Sequence, residues 1–242
     1  MNIIIYGAGG VMGQKIKAKL ELIESNKIIA LIDPLNDKYK KSLKEFNKKA
    51  DIIVDFSHPS NLEDILSYAL KNEVSTLLCT TGYNTKQLEK ILQAGEKIPV
   101  LQAGNTSIGI AVLKVLLKTA LNQLSDWDLE LIELHHNRKV DSPSGTAKEI
   151  VNIIKKEKET TNTVYGRNPS SGKREKEDIG VHSIRGGSIV GEHKLIFAGE
   201  NEIIEIKHSA ISRDLFVNGA IRLMDFLVNQ ETGFYKVEDA YK

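Results

Sequence analysis

The segment Glu133–Thr146 holds the residues of this 242-residue chain that are best suited to chemistry. Two adjacent imidazoles, His135 and His136, are followed by Lys139 and by the turn-forming stretch Ser142–Thr146. Histidine titrates near neutral pH, and lysine can hold an anion. The segment therefore predicts proton transfer beside a carboxylate-bearing ligand. The competing interpretation is a polar strand end that runs into a capped helix, with both histidines at the surface.

The two histidines do not predict a metal site. Adjacent residues on a strand point to opposite faces, so an extended His135–His136 pair cannot easily share one metal ion. The sequence also offers no third ligand at a spacing typical of zinc sites. We therefore expect no bound metal.

A glycine-rich turn begins at residue 7, directly after the apolar run Ile3–Tyr6 and before a helix-like pattern. Backbone N–H groups of such a turn can bind a pyrophosphate at the positive end of the helix. We assign cofactor binding to the residues of this turn, which are Gly7, Ala8, Gly9, Gly10, Val11 and Met12. Asp33 ends the next predicted strand, where an acid accepts hydrogen bonds from the ribose of NAD. An ordinary Asp-Pro turn is the alternative there.

The same region predicts which nicotinamide cofactor is used. Neither Val11 nor Pro34, the residue after Asp33, supplies a cation for the 2′-phosphate of NADPH. We therefore expect NADH to be preferred, with NADPH possible.

Strand-like and helix-like segments alternate through the first half of the chain, which predicts a doubly wound parallel sheet of the α/β class. In such sheets ligands bind beyond the carboxyl ends of the strands. Small and polar residues lie at these strand ends, and we assign them to the cofactor edge rather than to ordinary tight loops. They are Cys79, Thr80, Thr81, Ala103, Gly104, Asn105 and Thr106.

The second half changes pattern after a helix-like stretch. Alternating strands over 178–187, 190–197 and 202–208 follow one another without helices, which predicts an antiparallel or mixed sheet. Such sheets often form subunit contacts, so a homo-oligomer is expected. The polar segment 156–176 predicts an exposed, mobile loop. Four side chains, namely His182, Arg185, Glu192 and His193, are interpreted as a polar network within the sheet.

Composition excludes several classes of function. Lys and Arg number 33 against 32 Asp and Glu, so no basic surplus points to nucleic acid. A single cysteine rules out an internal disulfide, which suits a reducing compartment. The sequence has no secretory signal pattern and no run of apolar residues long enough to span a membrane. We therefore expect a cytoplasmic protein without a membrane or nucleic-acid partner.

Several segments together resemble the dihydrodipicolinate reductase (4-hydroxy-tetrahydrodipicolinate reductase) family, over nearly the whole chain. They are Gly7–Gly13, Thr80–Gly82, Asn105–Gly109, Glu133–His136 with Lys139–Ala147, His182–Gly187 and Gly191–His193. The segment at 133–147 is highly specific, whereas the glycine turn is not. Val11 and Cys79 depart from the family, which usually has Arg and Gly there.

The resemblance implies a reductase of the diaminopimelate route to lysine, which transfers a hydride from NAD(P)H to a cyclic dicarboxylate. It implies that His135 is the general acid and Lys139 its cationic partner, and that His136, Gly145 and Thr146 bind substrate carboxylates. It also implies a dinucleotide-binding domain over 1–106 and 216–242. Residues 107–215 would form an α+β substrate-binding and oligomerisation domain with a mixed sheet, which assembles a homotetramer.

Two other functions remain open from the sequence. One is another NAD-dependent dehydrogenase on the same two-domain plan, acting on an amino acid or an aldehyde. The other is a non-catalytic dinucleotide sensor, which would need a partner-binding face and would have little use for His135 and Lys139 together.

Overall fold

The computed structural model describes residues 1–158 and 161–241. The chain forms two compact units, each described below by itself. The first comprises Met1–Ser107 and the stretch from Asp214 onward, and the second comprises Ile108–Arg213. These boundaries lie one or two residues from those expected at 106/107 and 215/216.

The first unit is built on a six-stranded, entirely parallel sheet. Its strands, in spatial order, are β11 (Gly233–Tyr235), β5 (Pro99–Gln102), β4 (Ser75–Leu78), β3 (Ile52–Asp55), β1 (Asn2–Tyr6) and β2 (Lys27–Ile32). Its helices are α1 (Val11–Leu20), α2 (Leu62–Asn72), α3 (Thr85–Gly95) and α6 (Asp214–Leu227). Helix α1 packs beside α6, and α2 packs beside α3. The predicted doubly wound sheet is confirmed.

Continuous apolar runs explain why these strands lie inside the sheet. Ile3, Ile4 and Ile5 have no exposed surface, because helices cover a doubly wound sheet on both faces. Full burial of each such side chain contributes about 1.5–3 kcal/mol to stability. Strand β11 was not predicted, since three residues beginning with glycine carry no strand periodicity.

The second unit is built on a mixed five-stranded sheet, as predicted. Its strands, in spatial order, are β10 (Ile203–Ala210), β9 (Gly191–Ala198), β6 (Asp128–His135), β8 (Asp178–Arg185) and β7 (Asn162–Tyr165). Strand β6 pairs with β8 in parallel and with β9 antiparallel. Helices α4 (Ile108–Gln123) and α5 (Gly145–Glu157) contribute to one core with this sheet, from residues such as Leu117 and Ile150. None of the described helices is long and apolar enough to cross a membrane.

The expected loop over 156–176 is partly wrong. Helix α5 continues to Glu157, and β7 pairs in parallel with the start of β8. Strand β7 has four residues, two of them exposed, so it shows no apolar alternation that the sequence could reveal. Residues 159 and 160 of the expected loop lie outside the described residues.

Candidate active site

The glycine turn between β1 and α1 is held tightly against the end of the sheet. Gly7 has φ of 81°, and a Cβ there would lie 2.5 Å from the carbonyl oxygen of Phe56. A Cβ on Gly13 would overlap the carbonyl oxygen of Gly7. Gly10, which precedes the helix, is exposed and has no side chain to cap α1. The backbone at the helix start is therefore accessible, and it fits the pyrophosphate of a dinucleotide.

Asp33 lies immediately after β2 and beside this turn. Its Oδ2 accepts a hydrogen bond of 2.8 Å from the backbone N–H of Gly9, and its Oδ1 accepts one of 3.0 Å from Leu35. The carboxylate thus ties the glycine turn to the end of β2, where a ribose would bind. Val11, the first residue of α1, is 65% exposed and brings no positive charge to this edge.

The other assigned cofactor residues follow β4 and β5 at the same carboxyl edge of the sheet. Thr80 is buried and its Oγ1 accepts a hydrogen bond of 3.0 Å from the N–H of Ser57, while Thr81 is exposed and Cys79 half-buried. After β5, Ala103 is buried and Gly104 exposed. Two further residues form hydrogen bonds: Asn105 Oδ1 accepts from the N–H of Ser107, and the hydroxyl of Thr106 donates to the backbone oxygen of Phe216.

Asp55 at the end of β3 is a buried carboxylate that the sequence analysis did not select. Its Oδ1 accepts hydrogen bonds from the hydroxyl of Ser57 at 2.5 Å and from the N–H of Ser57 at 3.0 Å. The hydroxyl of Tyr83 donates to Oδ2 at 3.2 Å. Burial raises the pKa of Asp55 in spite of these bonds. The group links the loops that follow β3 and β4.

The second unit carries its own cluster of titratable groups at the end of β6. Glu133 and His135 are two residues apart on the strand and therefore share a face. His135 Nδ1 lies 2.5 Å from Glu133 Oε2. Arg185, at the end of β8, donates to both Glu133 oxygens, at 2.7 and 3.0 Å. Glu133 is fully buried, so this bidentate pair compensates for the loss of its hydration.

His193 on β9 completes this cluster. It lies directly opposite Glu133 in the sheet register, and its ring meets that of His135 edge-on at 5.5 Å. Its Nε2 is 3.1 Å from the hydroxyl of Ser144. Arg185 and His193 were predicted to belong to a polar network within the sheet, and they also contact Glu133 and His135. Of the other members, His182 pairs with Glu130 Oε2 at 2.8 Å, and Glu192 pairs with Lys207 at 2.8 Å.

The charges of the cluster follow from burial and from these pairs. Burial alone would raise the pKa of Glu133, but hydrogen bonds from Arg185, Ser183 and His135 outweigh it and lower the pKa. Burial lowers the pKa of His135, the Glu133 carboxylate opposes that effect, and the charges of Lys139 and Arg185 reinforce it. At neutral pH these shifts favour an ionised Glu133 beside a neutral His135.

The loop after β6 carries Lys139 and leads into helix α5 of the second unit. Lys139 Nζ pairs with Asp141 Oδ1 at 2.7 Å, and its charge is close enough to lower the pKa of His135. His136, just past the strand, has a buried Nδ1 without a partner among the described residues. Buried polar atoms are seldom left unpaired, so this atom marks His136 as a candidate contact for a ligand.

Helix α5 begins at Gly145, with Ser144 as its N-cap. The Ser144 hydroxyl accepts a hydrogen bond of 3.2 Å from the N–H of Ala147. Gly145 is exposed, and a Cβ built on it would meet nothing within 4 Å. Thr146 follows in the first turn, which contains no acidic residue. This helix start is therefore open to an anion.

The buried His193 predicts a dependence of stability on pH. Burial, reinforced by the neighbouring His135, lowers the pKa of His193 to about 4 in the folded chain. In the unfolded chain histidine titrates near about 6.5, so the unfolded state takes up the proton first as pH falls. This group therefore lowers the free energy of unfolding as pH falls from about 6.5 to about 4, and has almost no effect above 6.5.

Denaturant unfolding at pH 7 and pH 5 measures this contribution. His193 should account for about 2 kcal/mol of the wild-type loss between these pH values. The variant His193→Gln, which has no titrating ring at this position, should lose about 2 kcal/mol less than wild type over the same interval. An equal loss in both proteins would contradict a neutral, buried His193.

Comparison with known proteins links both units to one family. The family model described as "Dihydrodipicolinate reductase, N-terminus" matches residues 1–106, and the model described as "Dihydrodipicolinate reductase, C-terminus" matches residues 109–240. Relatives named 4-hydroxy-tetrahydrodipicolinate reductase include one from Clostridium novyi, 43% identical over 100% of this chain and 98% of its own length. Another, from Brachyspira hyodysenteriae, is 42% identical over 99% of both chains.

A solved structure has the same fold. Dipicolinate-bound dihydrodipicolinate reductase from Paenisporosarcina sp. TG-14 superimposes with a TM-score of 0.80. It is 22% identical in sequence, over 99% of this chain and 98% of that one.

Proposed function

The chain belongs to the dihydrodipicolinate reductase family and is an oxidoreductase, and from this membership we propose its substrate and the roles of its residues. The substrate is 4-hydroxy-tetrahydrodipicolinate, which gains a hydride from NAD(P)H and a proton and loses water to give tetrahydrodipicolinate. This step belongs to the diaminopimelate route of lysine biosynthesis. The observation that carries the proposal is the cluster in the second unit. There the imidazole of His135 at the end of β6, Lys139 in the following loop and the open start of α5 lie on consecutive segments.

The first unit binds the nicotinamide cofactor, which supplies the hydride when bound. The turn Gly7–Met12 holds the pyrophosphate through backbone N–H groups, since α1 presents its positive end there. Asp33 accepts hydrogen bonds from the ribose. The segments Cys79–Thr81 and Ala103–Thr106, which follow β4 and β5, contact the cofactor at the carboxyl edge of the sheet.

The second unit holds the substrate and delivers the proton. A cyclic dicarboxylate carries two negative charges, which call for fixed donors. Lys139, the unpartnered Nδ1 of His136 and the helix start at Gly145–Thr146 supply these donors. The dianion favours the protonated form of His135, because opposite charge raises a histidine pKa. His135 then protonates the ring atom that becomes electron-rich after the hydride arrives.

The residues around Val11 predict a preference for NADH over NADPH. A 2′-phosphate would lie near the buried Asp33 carboxylate without a cation from Val11. We expect a higher kcat/KM with NADH in steady-state assays, and a gain in NADPH efficiency in Val11→Arg. Leu22→Arg adds the same charge at an exposed site beyond α1 and should leave the ratio unchanged. Equal or better wild-type efficiency with NADPH would overturn the preference.

A coupled assay tests the substrate assignment. Aspartate semialdehyde, pyruvate and the preceding synthase generate the substrate in the assay. Oxidation of NADH and of NADPH is followed in separate reactions by the loss of reduced-nicotinamide absorbance. We expect oxidation that requires both the synthase and this chain. No oxidation with either cofactor would overturn the assignment.

A further inference from the structure

Glu133 is a fully buried carboxylate to which the proposed reaction assigns no role. It lies two residues before His135 on β6, in the middle of the mixed sheet. A carboxylate without water is costly unless charged or hydrogen-bonding partners compensate. The residues that pair with Glu133 therefore indicate which side chains this carboxylate positions.

Most hydrogen-bond partners of Glu133 within residues 1–158 and 161–241 belong to the candidate site. Arg185 donates to both oxygens, and the N–H of Ser144 donates to Oε1 at 3.3 Å. The side chain of Ser183 on β8 also hydrogen-bonds to this carboxylate, and His135 Nδ1 lies 2.5 Å from Oε2. Arg185 also donates to the backbone oxygen of Asp141 at 2.8 Å, in the loop that carries Lys139. One ion pair thus connects the catalytic imidazole, the lysine loop and the residue that caps α5.

The ion pair determines which nitrogen of His135 carries the proton in the neutral ring. An ionised carboxylate only accepts hydrogen bonds, and the pair with Arg185 keeps Glu133 ionised. The nitrogen that faces it, Nδ1, must therefore be the N–H. Nε2 remains as the nitrogen that can take up a proton and give it away.

Gly191 keeps the Nε2 side of the ring clear. A Cβ on Gly191 would lie 3.1 Å from His135 Nε2 and 3.4 Å from Cδ2. Any larger side chain at the start of β9 would approach the atom that must reach a substrate. Glu133 thus faces Nδ1 of the ring, and the backbone of Gly191 faces Nε2.

Resting on the proposed function, we propose that Glu133, clamped by Arg185, is a positioning residue that holds His135 with Nδ1 protonated and makes Nε2 the proton donor. The charged and titratable groups that face His135 are Glu133 on its own strand, Arg185 on β8, His193 on β9 and Lys139 in the following loop. Among these only Glu133 is negative. Its charge therefore favours the imidazolium form that a general acid requires.

The test combines ¹⁵N NMR of the histidine rings with the pH dependence of kcat in Glu133→Gln. In the wild type we expect the Nδ1–H tautomer of His135. In Glu133→Gln we expect mixed tautomers, a basic limb of kcat that moves to lower pH, and a 10- to 100-fold lower kcat at neutral pH, a part of the roughly 10²- to 10⁴-fold that a general acid supplies. Binding of NADH should not change.

Glu130→Gln is the matched control. Glu130 lies on the same strand and also pairs with a histidine and an arginine, His182 at 2.8 Å and Arg174 at 3.3 Å. We expect this variant to keep the wild-type His135 tautomer and pH profile. A loss of stability alone would leave the His135 tautomer and the pH profile of the folded enzyme unchanged in either variant, whereas positioning changes both in Glu133→Gln.

Two outcomes would overturn the proposal. One is an Nε2–H tautomer in the wild type, a measurement that needs no variant to fold. The other is an unchanged tautomer and pH profile in Glu133→Gln. The NMR result does not depend on turnover, so inactivity of the wild type toward the proposed substrate would reject the proposed function and leave the positioning role to be judged separately.

Discussion

His135→Gln lowers kcat by about 10²- to 10⁴-fold, which is the contribution expected of a positioned general acid. Glutamine keeps a polar side chain of similar reach but cannot deliver a proton near neutral pH. The cofactor residues of the first unit are untouched, so the Kd of NADH from fluorescence titration should change little. A fall in kcat without a change in NADH binding is the signature of an interaction made in the transition state.

His182→Gln is the control for this prediction. His182 belongs to the same sheet and also pairs with a glutamate. In the described part of the chain that partner is Glu130, and no hydrogen bond joins His182 to a residue assigned to the reaction. We expect its kcat to remain close to that of wild type. Wild-type turnover in His135→Gln would remove His135 from the mechanism.

Lys139→Met lowers kcat/KM by about 30-fold or more. Removing one partner of a hydrogen-bonded charge pair costs about 2–5 kcal/mol when the site excludes water, and Lys139 is only about one-fifth exposed. Methionine keeps the length and apolar stem of the side chain and removes the charge. Steady-state kinetics divides the effect, because loss of carboxylate binding raises KM whereas loss of a proton source lowers kcat.

Arg138→Met removes the adjacent cation and serves as the control. Arg138 is exposed, and among the described residues no hydrogen bond or ion pair joins it to the His135 cluster. Its variant should retain kcat/KM within about twofold, a surface effect of at most ~0.5 kcal/mol. If Lys139→Met and Arg138→Met behaved alike, Lys139 would have no specific role in holding the substrate.

The secondary-structure elements that arise from short sequence patterns could be predicted from the sequence. The run Ile3–Tyr6 followed by a glycine turn indicates a buried parallel strand and a nucleotide site, and the structure has β1 and α1 there. The change from helix-separated to uninterrupted strands predicted the mixed sheet. In each case residues close in sequence determine the element.

The neighbours of His135 on other strands were not predictable, because they depend on strand register. Arg185 and His193 reach the cluster since His135 pairs with Arg185 across β6 and β8, and Glu133 pairs with His193 across β6 and β9. Alternation reveals which face a residue occupies on its own strand, but not which residue lies opposite on another strand. Asp55 was not predicted for a related reason. Its partner Tyr83 lies in the loop after β4, and the sequence does not show that the two residues meet.

The fate of the cofactor's hydrogen tests the central claim most directly. The wild-type chain is supplied with enzymatically generated substrate and with NADH deuterated at both C4 positions of the nicotinamide, and the product is analysed by mass spectrometry. We expect one deuterium in each tetrahydrodipicolinate molecule and one NADH oxidised for each product formed. Oxidation of NADH that leaves the product unlabelled, or no product at all, would contradict the proposed hydride transfer.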